Sequence, residues 1–422
     1  MLTEESDMLK ASAEKSIGKA RTNWVDLARE VAPRLRNFAA ENEASGQLTP
    51  PSLDLLRECG FFGLLAARPL GGAEAKPDEA LEVYETLCEA DAAAGWVVMA
   101  CNVATGSASG YLPDAGAEKV FGAGIPIIAG NGGPFGRADV DGKGYRVSGR
   151  WSYGSGVLHS TWIHTGARVF ENGKPRINPA TGQPEVRTFI LPTQQARLLG
   201  NWDVLGLRAT GSVDYELDNV AVPQEFTHSP DANIALRGGN LFRLGVVGMS
   251  PLGHTGAALG IARRALSELA ELADSSGGRP SRLAIQGGDS QFQESFGLAE
   301  AQLRSARAFC YETWRDVAKT LDDGQPVQTR QYTLMRLALI HVTNVAADIC
   351  SFAYKTAGGV SLRSTALQRC FRDMFSASQH RLVSNSFARD CAQDLLGLAG
   401  NKVWAIRGLV DPPAEARSLG GA

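Results

Sequence analysis

Residues 125–223 contain six short stretches rich in apolar and β-branched side chains, and only turn residues separate them. Strands that follow one another without intervening helices do not form βαβ units. No GxGxxG motif follows a strand and opens a helix, which argues against a Rossmann dinucleotide site. The region is therefore predicted to form an antiparallel β-barrel or sandwich, with strands at 125–134, 145–151, 161–169, 186–192, 196–200 and 212–222.

Helical patterns flank this region on both sides. The chain has a helical pattern from about residue 16 up to the first strand, with a small, apolar segment at 92–108 that should be buried. Beyond the strands, four long amphipathic helices with short connections predict an antiparallel bundle, at 251–274, 289–322, 327–357 and 365–397. We therefore predict an α+β chain with an N-terminal helical domain (1–124), a middle β-domain (125–228) and a C-terminal four-helix bundle (229–422).

The composition excludes several classes of protein. Of the 422 residues, 44% are hydrophobic and 21% are charged, as in ordinary globular proteins. A net charge of -3 gives no electrostatic basis for binding nucleic acid or an anionic membrane. The seven cysteines are scattered without CxxC spacing, which suits free thiols in a reducing compartment. The polar N-terminus is unlike a signal peptide and no apolar run approaches a membrane span, so we expect a cytoplasmic protein.

The polar segment 145–156, with the sequence YRVSGRWSYGSG, carries the first functional signal. It alternates like a strand up to Trp151 and then breaks into small residues, with Ser155 between two glycines and Tyr153 between serines. Small residues let a backbone approach a flat group and leave donors free, as a planar heteroaromatic cofactor requires. Taken alone, a turn that closes a hairpin is the simpler interpretation.

Several motifs together resemble the acyl-CoA dehydrogenase superfamily over nearly the whole chain. They are LRECGFFG at 56–63 with PLGG at 69–72, GLRATGS at 206–212 with Val222-Pro223, and LGIARR at 259–264. The resemblance implies the acyl-CoA dehydrogenase fold: an N-terminal helical domain, a middle antiparallel β-barrel-like domain and a C-terminal four-helix bundle.

Two chemistries compete within that superfamily. Dehydrogenases commonly place a catalytic glutamate five residues before the motif that reads RCFRD here, and this chain has Ser364 at that position. A serine without an activating base does not remove an α-proton at neutral pH. Some dehydrogenases carry the glutamate elsewhere, so an FAD-dependent acyl-CoA dehydrogenase remains an alternative. An inactive flavin-binding scaffold is a second alternative.

The segment at 151–156 and the motif at 367–373 followed by His380 are similar to the two-component flavin monooxygenases, which include the oxygenase component of 4-hydroxyphenylacetate hydroxylase. This resemblance implies reduced FMN, with FAD possible, delivered by a separate NAD(P)H:flavin reductase. It also implies O2 as co-substrate, a C4a-hydroperoxide, and an aromatic or polycyclic small molecule as the substrate. Bundles of this family usually assemble as homotetramers.

The resemblance also assigns roles to individual residues. Ser155 would accept the flavin N5–H, and His380, expected on the last long helix, would deprotonate the substrate or position the distal peroxide oxygen. We expect cofactor contacts from eight residues: Asn131, Trp151, Tyr153, Thr210, Gly211, Ser212, Arg282 and Arg372.

The predicted substrate pocket combines His380 with one face of the segment around 95–104. Many relatives carry a histidine near the position that Ala104 occupies, where it contacts a phenolic oxygen. Its absence favours a larger fused-ring substrate over a simple 4-hydroxyphenyl compound. The predicted lining residues are Trp96, Met99, Asn102 and Ala104. No metal site is expected, because His159, His164 and His254 lack a carboxylate at ligand spacing.

Overall fold

The computed structural model describes residues 23–179, 182–274 and 287–412. Arg282 lies outside the described residues. The described residues form ten α-helices: α1 (Trp24–Ser45), α2 (Pro50–Glu58), α3 (Pro77–Ala90), α4 (Ala92–Tyr111), α5 (Asp114–Phe121), α6 (Gly245–Ala273), α7 (Ser290–Asp322), α8 (Thr329–Ala357), α9 (Ala366–Ala377) and α10 (Asn385–Leu395). Their strands are β1 (Ile128–Asp141), β2 (Gly144–Trp151), β3 (Trp162–Glu171), β4 (Lys174–Pro175), β5 (Val186–Pro192), β6 (Arg197–Leu198), β7 (Tyr215–Pro223), β8 (Thr227–His228), β9 (Val403–Ala405) and β10 (Gly408–Val410).

Helix α4 is the central element of the N-terminal region. Asp91 caps it by accepting a hydrogen bond from the Ala93 N–H at 3.0 Å. Nearly every residue of the helix is buried, as the apolar composition of 92–108 predicts. Close packing depends on its glycines, because a Cβ at Gly95 would lie 2.3 Å from the Cys88 sulfur. The helix therefore has neighbours on all sides, including the β-sheet and α6.

The sheet contains the predicted strands in the order β6-β7-β2-β1-β3-β5-β8, with β4 paired to β3. The predicted fold class is confirmed, but the purely antiparallel pairing is wrong at one place. Strands β1 and β3 run parallel, and their register shifts between Asn131 and Gly136. The connection after β2 is long enough to cross the sheet, so β3 pairs with the edge of β1 opposite to β2. Its residues, 152–161, form the polar loop that the sequence marked as functional.

The helical bundle differs from prediction in its last segment. Helices α6, α7 and α8 match three of the predicted helices, whereas the fourth is two helices separated by residues 378–384. His380 lies in this break and not on a long helix. Its Nδ1 accepts a hydrogen bond from the Leu382 N–H at 3.3 Å, and the Ser384 side chain caps α10. Local capping thus ends a helix that the apolar pattern alone would continue.

One helical stretch contradicts the expectation that no segment reaches the length of a membrane span. Among the described residues, Thr329–Leu362 is long and apolar enough to cross a membrane. Half of this apolar window is buried against the rest of the structure. A helix in the core of a bundle can have the same length and apolar composition. These two properties alone therefore do not indicate a membrane span.

A buried carboxylate joins the bundle to the β-domain. Asp373 on α9 is 3% exposed, and its Oδ1 accepts a hydrogen bond from the Leu207 N–H at 2.6 Å. The backbones approach closely there, since a Cβ at Gly206 would lie 2.2 Å from the Arg372 carbonyl oxygen. Burial, reinforced by the nearby carboxylates of Asp91 and Glu43, raises the pKa of Asp373 to about 7. The contact therefore holds a carboxyl group that resists ionisation.

Replacing Asp373 with asparagine is expected to flatten the pH dependence of stability. The native pKa is raised above the unfolded value, so the native state binds the extra proton and wild type loses stability as pH rises from about 4 to 7. Between about pH 5.5 and 7.5 this loss amounts to about 1–2 kcal/mol. Asp373→Asn still accepts from Leu207 and lacks the titration. Denaturant unfolding at both pH values measures the change, and an equal loss in the two proteins contradicts it.

Candidate functional site

The predicted cofactor segment packs against the loop that Asp373 holds. After β2 the chain turns through Tyr153, whose φ of 65° is rare for an aromatic residue. The Gly156 N–H donates to the Thr210 carbonyl at 3.0 Å, and the Gly154 N–H donates to the Val213 carbonyl at 3.2 Å. A Cβ at Gly156 would lie 2.9 Å from the Cys101 sulfur on α4. The glycines that flank Ser155 are therefore explained by packing on the protein itself.

Three hydroxyl groups form a continuous row at this contact. The Ser155 Oγ lies 2.8 Å from the Ser212 Oγ, which lies 2.6 Å from the Thr210 Oγ1. The Thr210 hydroxyl donates to the Leu207 carbonyl at 2.7 Å. We call Ser155, Ser212 and Thr210 the hydroxyl relay. At its outer end, the Trp96 Nε1–H donates to the Ser155 Oγ at 3.2 Å.

An aromatic cluster formed by Trp96, His254 and His380 stands beside the relay. The two imidazole rings stack with centroids 4.0 Å apart and an interplanar angle of 29°. The Trp96 ring meets His254 edge-on at 4.9 Å and His380 at 6.1 Å. His380 is exposed, His254 is half-buried and Trp96 is buried, so His380 is the member of the cluster that faces solvent. Helices α4 and α6 and the break after α9 each contribute one ring.

The surroundings hold both imidazoles in the neutral form. Loss of solvation lowers the pKa of His254 and His380, and the positive charge of Arg336 lowers both further. Water at the exposed His380 ring limits this effect, but its direction is the same. Because Nδ1 of His380 accepts from Leu382, the neutral ring carries its proton on Nε2. His380 therefore presents a donor to the site.

Arg336, which supplies the positive charge near the two imidazoles, is itself buried. It is 1% exposed, and no acidic side chain within the described ranges forms an ion pair with it. Its Nη2 donates to the Val247 carbonyl at 3.3 Å, and its guanidinium lies 5.1 Å from the Phe387 ring centroid. Burial lowers the pKa of Arg336 to about 10, so it stays charged at neutral pH.

Three predicted cofactor residues are committed to other contacts. Trp151 is fully buried in the sheet, where it stacks on Tyr215 and donates to the Gly166 carbonyl. The Asn131 amide donates to the Ser152 carbonyl at 2.9 Å and accepts from the Gly133 N–H. The Arg372 guanidinium is paired with Glu43 and donates to the Leu205 carbonyl. These donors were expected to face a cofactor, and the structure shows each engaged within the protein.

The other predicted cofactor residues lie at or next to the relay. Thr210 and Ser212 are part of it, and Gly211 turns the chain between them with a φ of 52°. Tyr153 is 68% exposed and meets Trp202 edge-on at 6.3 Å. This surface combines a hydroxyl group, exposed aromatic rings and neutral imidazoles, a set that fits a planar heteroaromatic group bearing an N–H. A cavity of 150 Å³ elsewhere, against Trp24 and Phe62, is lined by none of these residues.

Most of the predicted substrate-pocket residues on α4 face the core. Met99, Asn102 and Ala104 are buried, with exposures of 2%, 0% and 1%. The Asn102 side chain accepts from the Leu65 N–H at 3.1 Å and donates to the Phe61 carbonyl at 2.7 Å. Only Trp96 of the α4 set joins His380 at the site. Met99, Asn102 and Ala104 are therefore buried away from the surface that carries His380, and their role towards a substrate stays a prediction.

His254 is the functional candidate that the sequence did not assign to this site. No local sequence pattern marks His254, because its partner His380 lies far along the chain, in the break after α9. Among the described residues no group of three metal-ligating side chains is suitably arranged for a metal ion.

Comparison with known proteins agrees with this geometry. Residues 252–385 match the family described as acyl-CoA dehydrogenase, C-terminal domain. The indole-3-acetate monooxygenase of Pseudomonas putida is 29% identical over 384 residues, which cover 87% of this chain and 91% of that protein. The oxygenase component of an FADH2-dependent resorcinol hydroxylase from Rhizobium sp. is 25% identical and covers 90% of this chain and 95% of that protein. XiaF from Streptomyces sp., solved with FADH2 and glycerol, superposes with a TM-score of 0.80 at 22% identity, covering 94% of this chain and 98% of its own.

Replacing Asn102 tests whether this residue supports the fold and not the pocket. Asn102→Ala is expected to destabilise the protein by about 2–4 kcal/mol, because buried groups of Phe61 and Leu65 lose their partners. The matched control is Ser107→Ala on the same helix, since the buried Ser107 hydroxyl bonds only the Ala104 carbonyl one turn away. Thermal melting of both variants measures the difference, and equal melting temperatures contradict the assignment.

Proposed function

We propose that this chain, whose residues 252–385 match the acyl-CoA dehydrogenase C-terminal domain, is the oxygenase component of a two-component flavin monooxygenase. In this proposal it takes reduced FMN or FAD from a separate NAD(P)H:flavin reductase in the cytoplasm and uses O2 to oxygenate an aromatic or polycyclic small molecule. The bound flavin supplies the two electrons that activate O2. In this proposal the N-terminal helical domain spans residues 1–124, the middle β-domain 125–228 and the C-terminal bundle 229–422.

The observation that carries the proposal is the position of Trp96 between two predicted sites. Its indole N–H donates to Ser155, and its ring contacts both His254 and His380. Ser155, which is assigned to the flavin, and His380, which is assigned to the substrate, therefore share Trp96 as a neighbour. A group that lies on Ser155 and a substrate that lies on His380 would both be next to Trp96, and transfer of an oxygen atom requires such proximity.

The buried Ser212 and Thr210 complete the hydroxyl relay, and the residues proposed to contact the flavin are Ser155 and the exposed Tyr153. They supply hydroxyl groups and an aromatic face, whereas Trp151, Asn131 and Arg372 support the site from within the protein. Gly211 keeps the loop between Thr210 and Ser212 compact. In this proposal the relay would border the flavin and the aromatic cluster would border the substrate.

His380 acts on the substrate side as a hydrogen-bond donor. Its Nδ1 is occupied by the Leu382 N–H, so the neutral ring offers an Nε2–H and no free lone pair. This arrangement favours holding an oxygen atom over removing a proton from a phenol. The stacked His254 fixes the ring plane, and the charge of Arg336 opposes protonation of either imidazole.

The substrate proposed is a planar, fused-ring aromatic compound. The stacked imidazoles and the edge of Trp96 offer aromatic surface, and the neutral His380 donates to a single oxygen atom. An indole carboxylate is one such compound, and the relative from Pseudomonas putida carries the name of an enzyme that acts on indole-3-acetate.

The alternative dehydrogenase activity lacks a base at its commonest position. Ser364 stands where the commonest dehydrogenase arrangement has a glutamate, and it is exposed in the bend before α9. An inert scaffold, the other alternative, offers no reason for the stacked histidines beside Ser155.

We also propose a homotetramer assembled through the bundle. Of the apolar residues on α7 and α8 that suggest it, several are only half-buried in one chain: Phe292, Phe296, Phe309, Leu334, Leu337 and Val345. A monomer mass in light scattering at micromolar concentration would contradict this assembly.

The direct test supplies reduced FMN enzymatically. Purified protein is mixed with an unrelated flavin reductase, NADH, FMN, O2 and a panel containing indole carboxylates, resorcinols and fused-ring phenols. Oxygenated product is expected from at least one fused-ring compound, at the expense of hydrogen peroxide. Oxidation of acyl-CoA thioesters with an artificial electron acceptor, without any oxygenated product, would instead favour the dehydrogenase.

Two substitutions at His380 separate donation from base catalysis. His380→Gln retains an N–H near the Nε2 position, whereas His380→Ala does not. If the ring donates, the product yield per flavin oxidised falls by about 10–100-fold in the alanine variant and recovers much of that loss in the glutamine variant. A general base would leave both variants equally poor, by on the order of 10²–10⁴. Product and peroxide yields are measured between about pH 6 and 8, where the yield of wild type should stay level because the lowered pKa keeps His380 neutral.

A further inference from the structure

We propose that Thr210 and Ser212 are positioning residues that fix the Ser155 hydroxyl as a hydrogen-bond acceptor, and that the site thereby selects reduced flavin over oxidised flavin. This inference rests on the proposed function, because it concerns the same flavin site. Thr210 and Ser212 act through Ser155, and neither of them needs to contact the cofactor.

The direction of the relay is set at its inner end. The Thr210 Oγ1 lies 2.7 Å from the Leu207 carbonyl oxygen, which only accepts hydrogen bonds. Two oxygen atoms at that distance repel unless a proton lies between them, so the single Thr210 proton points to Leu207. Thr210 therefore has no proton left for Ser212, and the 2.6 Å contact between them requires Ser212 to donate.

The same argument gives the direction of the hydrogen bonds at Ser155, the outer member of the relay. Ser212 has given its only proton to Thr210, so the 2.8 Å contact with Ser155 requires the Ser155 hydroxyl to donate. Indole N–H groups only donate, so the Trp96 Nε1 occupies one lone pair of the Ser155 oxygen. Ser155 is left with one unused lone pair and no free proton. Towards a ligand it acts only as an acceptor.

This polarity distinguishes the two redox states of a flavin. The N5 atom of a reduced flavin carries a hydrogen and donates, whereas N5 of an oxidised flavin is a bare acceptor. An N5 placed on Ser155 thus makes a hydrogen bond when reduced and faces a second lone pair when oxidised. The relay lets Ser155 favour the form that the reductase delivers and disfavour the form that remains after turnover.

The relay is also held in register from the bundle. Leu207 adopts a φ of 53°, an uncommon conformation for leucine, and Asp373 fixes it by accepting its N–H. The Leu207 carbonyl is thereby aimed at Thr210. Thr210 and Ser212 are 1% and 2% exposed, so water does not compete for their protons. The direction of the hydrogen bonds is therefore set before any ligand arrives.

The test compares the affinity of each variant for the two redox states of FMN. Oxidised FMN is titrated by fluorescence in air, and dithionite-reduced FMN is titrated under anaerobic conditions. In Ser212→Ala the Ser155 proton loses its acceptor and is free to donate to oxidised N5. The ratio of the oxidised to the reduced dissociation constant is expected to fall about ten-fold, the value of one ordinary hydrogen bond.

Three further variants make the result decisive. Thr210→Val frees the Ser212 proton to turn towards Ser155 and should lower the ratio as Ser212→Ala does, while Ser212→Thr keeps the hydroxyl and should keep the wild-type ratio. Ser160→Ala is the matched control, since Ser160 shares a 2.9 Å hydroxyl contact with Thr193 outside the relay. Thermal melting of each protein without flavin identifies variants that do not fold, and Thr210→Val then replaces Ser212→Ala.

The outcomes separate this inference from the proposed function. A wild type that binds reduced FMN more tightly, with ratios unchanged in Ser212→Ala and Thr210→Val, overturns the relay proposal and leaves the monooxygenase proposal standing. Equal loss of affinity for both redox states in Ser212→Ala also overturns it, because that result indicates a merely structural role. A wild type that binds neither form of FMN or FAD overturns both.

Discussion

The hydrogen bond from the Leu207 N–H to the Asp373 carboxylate is the contact on which the site depends. It crosses from the β-domain loop to the bundle and lies entirely out of water. A carboxyl group in that position bears a desolvation cost, which the raised pKa reports. The structure offsets this cost with a backbone donor. The same contact fixes the turn from which the hydroxyl relay begins, so the bundle sets the geometry of a relay that lies on loops of the β-domain.

Sequence reasoning succeeded where side chains and motifs act locally. The order of helices and strands follows from periodicity, and Ser155, Thr210, Ser212, Trp96 and His380 were predicted at a common site and lie close together. Their roles remain proposals, but their placement follows from motifs with short, specific spacing. The parallel pairing of β1 and β3 was not accessible in this way, because strand spacing does not determine the order in a sheet.

Two of the differences between expectation and structure arise from residues distant in sequence, and a third arises from helix capping. Helix α4 is buried all round, so no polar face distinguished Trp96 at the site from Asn102 in the core. Arg372 has the charge expected of a phosphate ligand, but Glu43 neutralises it from α1. The apolar pattern at 365–397 continues across a break that a histidine ring and a serine hydroxyl create by capping. The first two outcomes depend on tertiary contacts that a local pattern does not contain, whereas the third is a local capping effect that the apolar pattern does not register.

The double use of the His380 ring has an evolutionary consequence. Its Nδ1 closes a local turn, a task that asparagine, aspartate or serine performs equally well in other proteins. The fold at this corner therefore accepts several residues, and only the reach and the second nitrogen of the imidazole distinguish histidine from them. On the proposed function, the residue at this corner is constrained by the substrate and by its ring contacts more than by the turn that it caps.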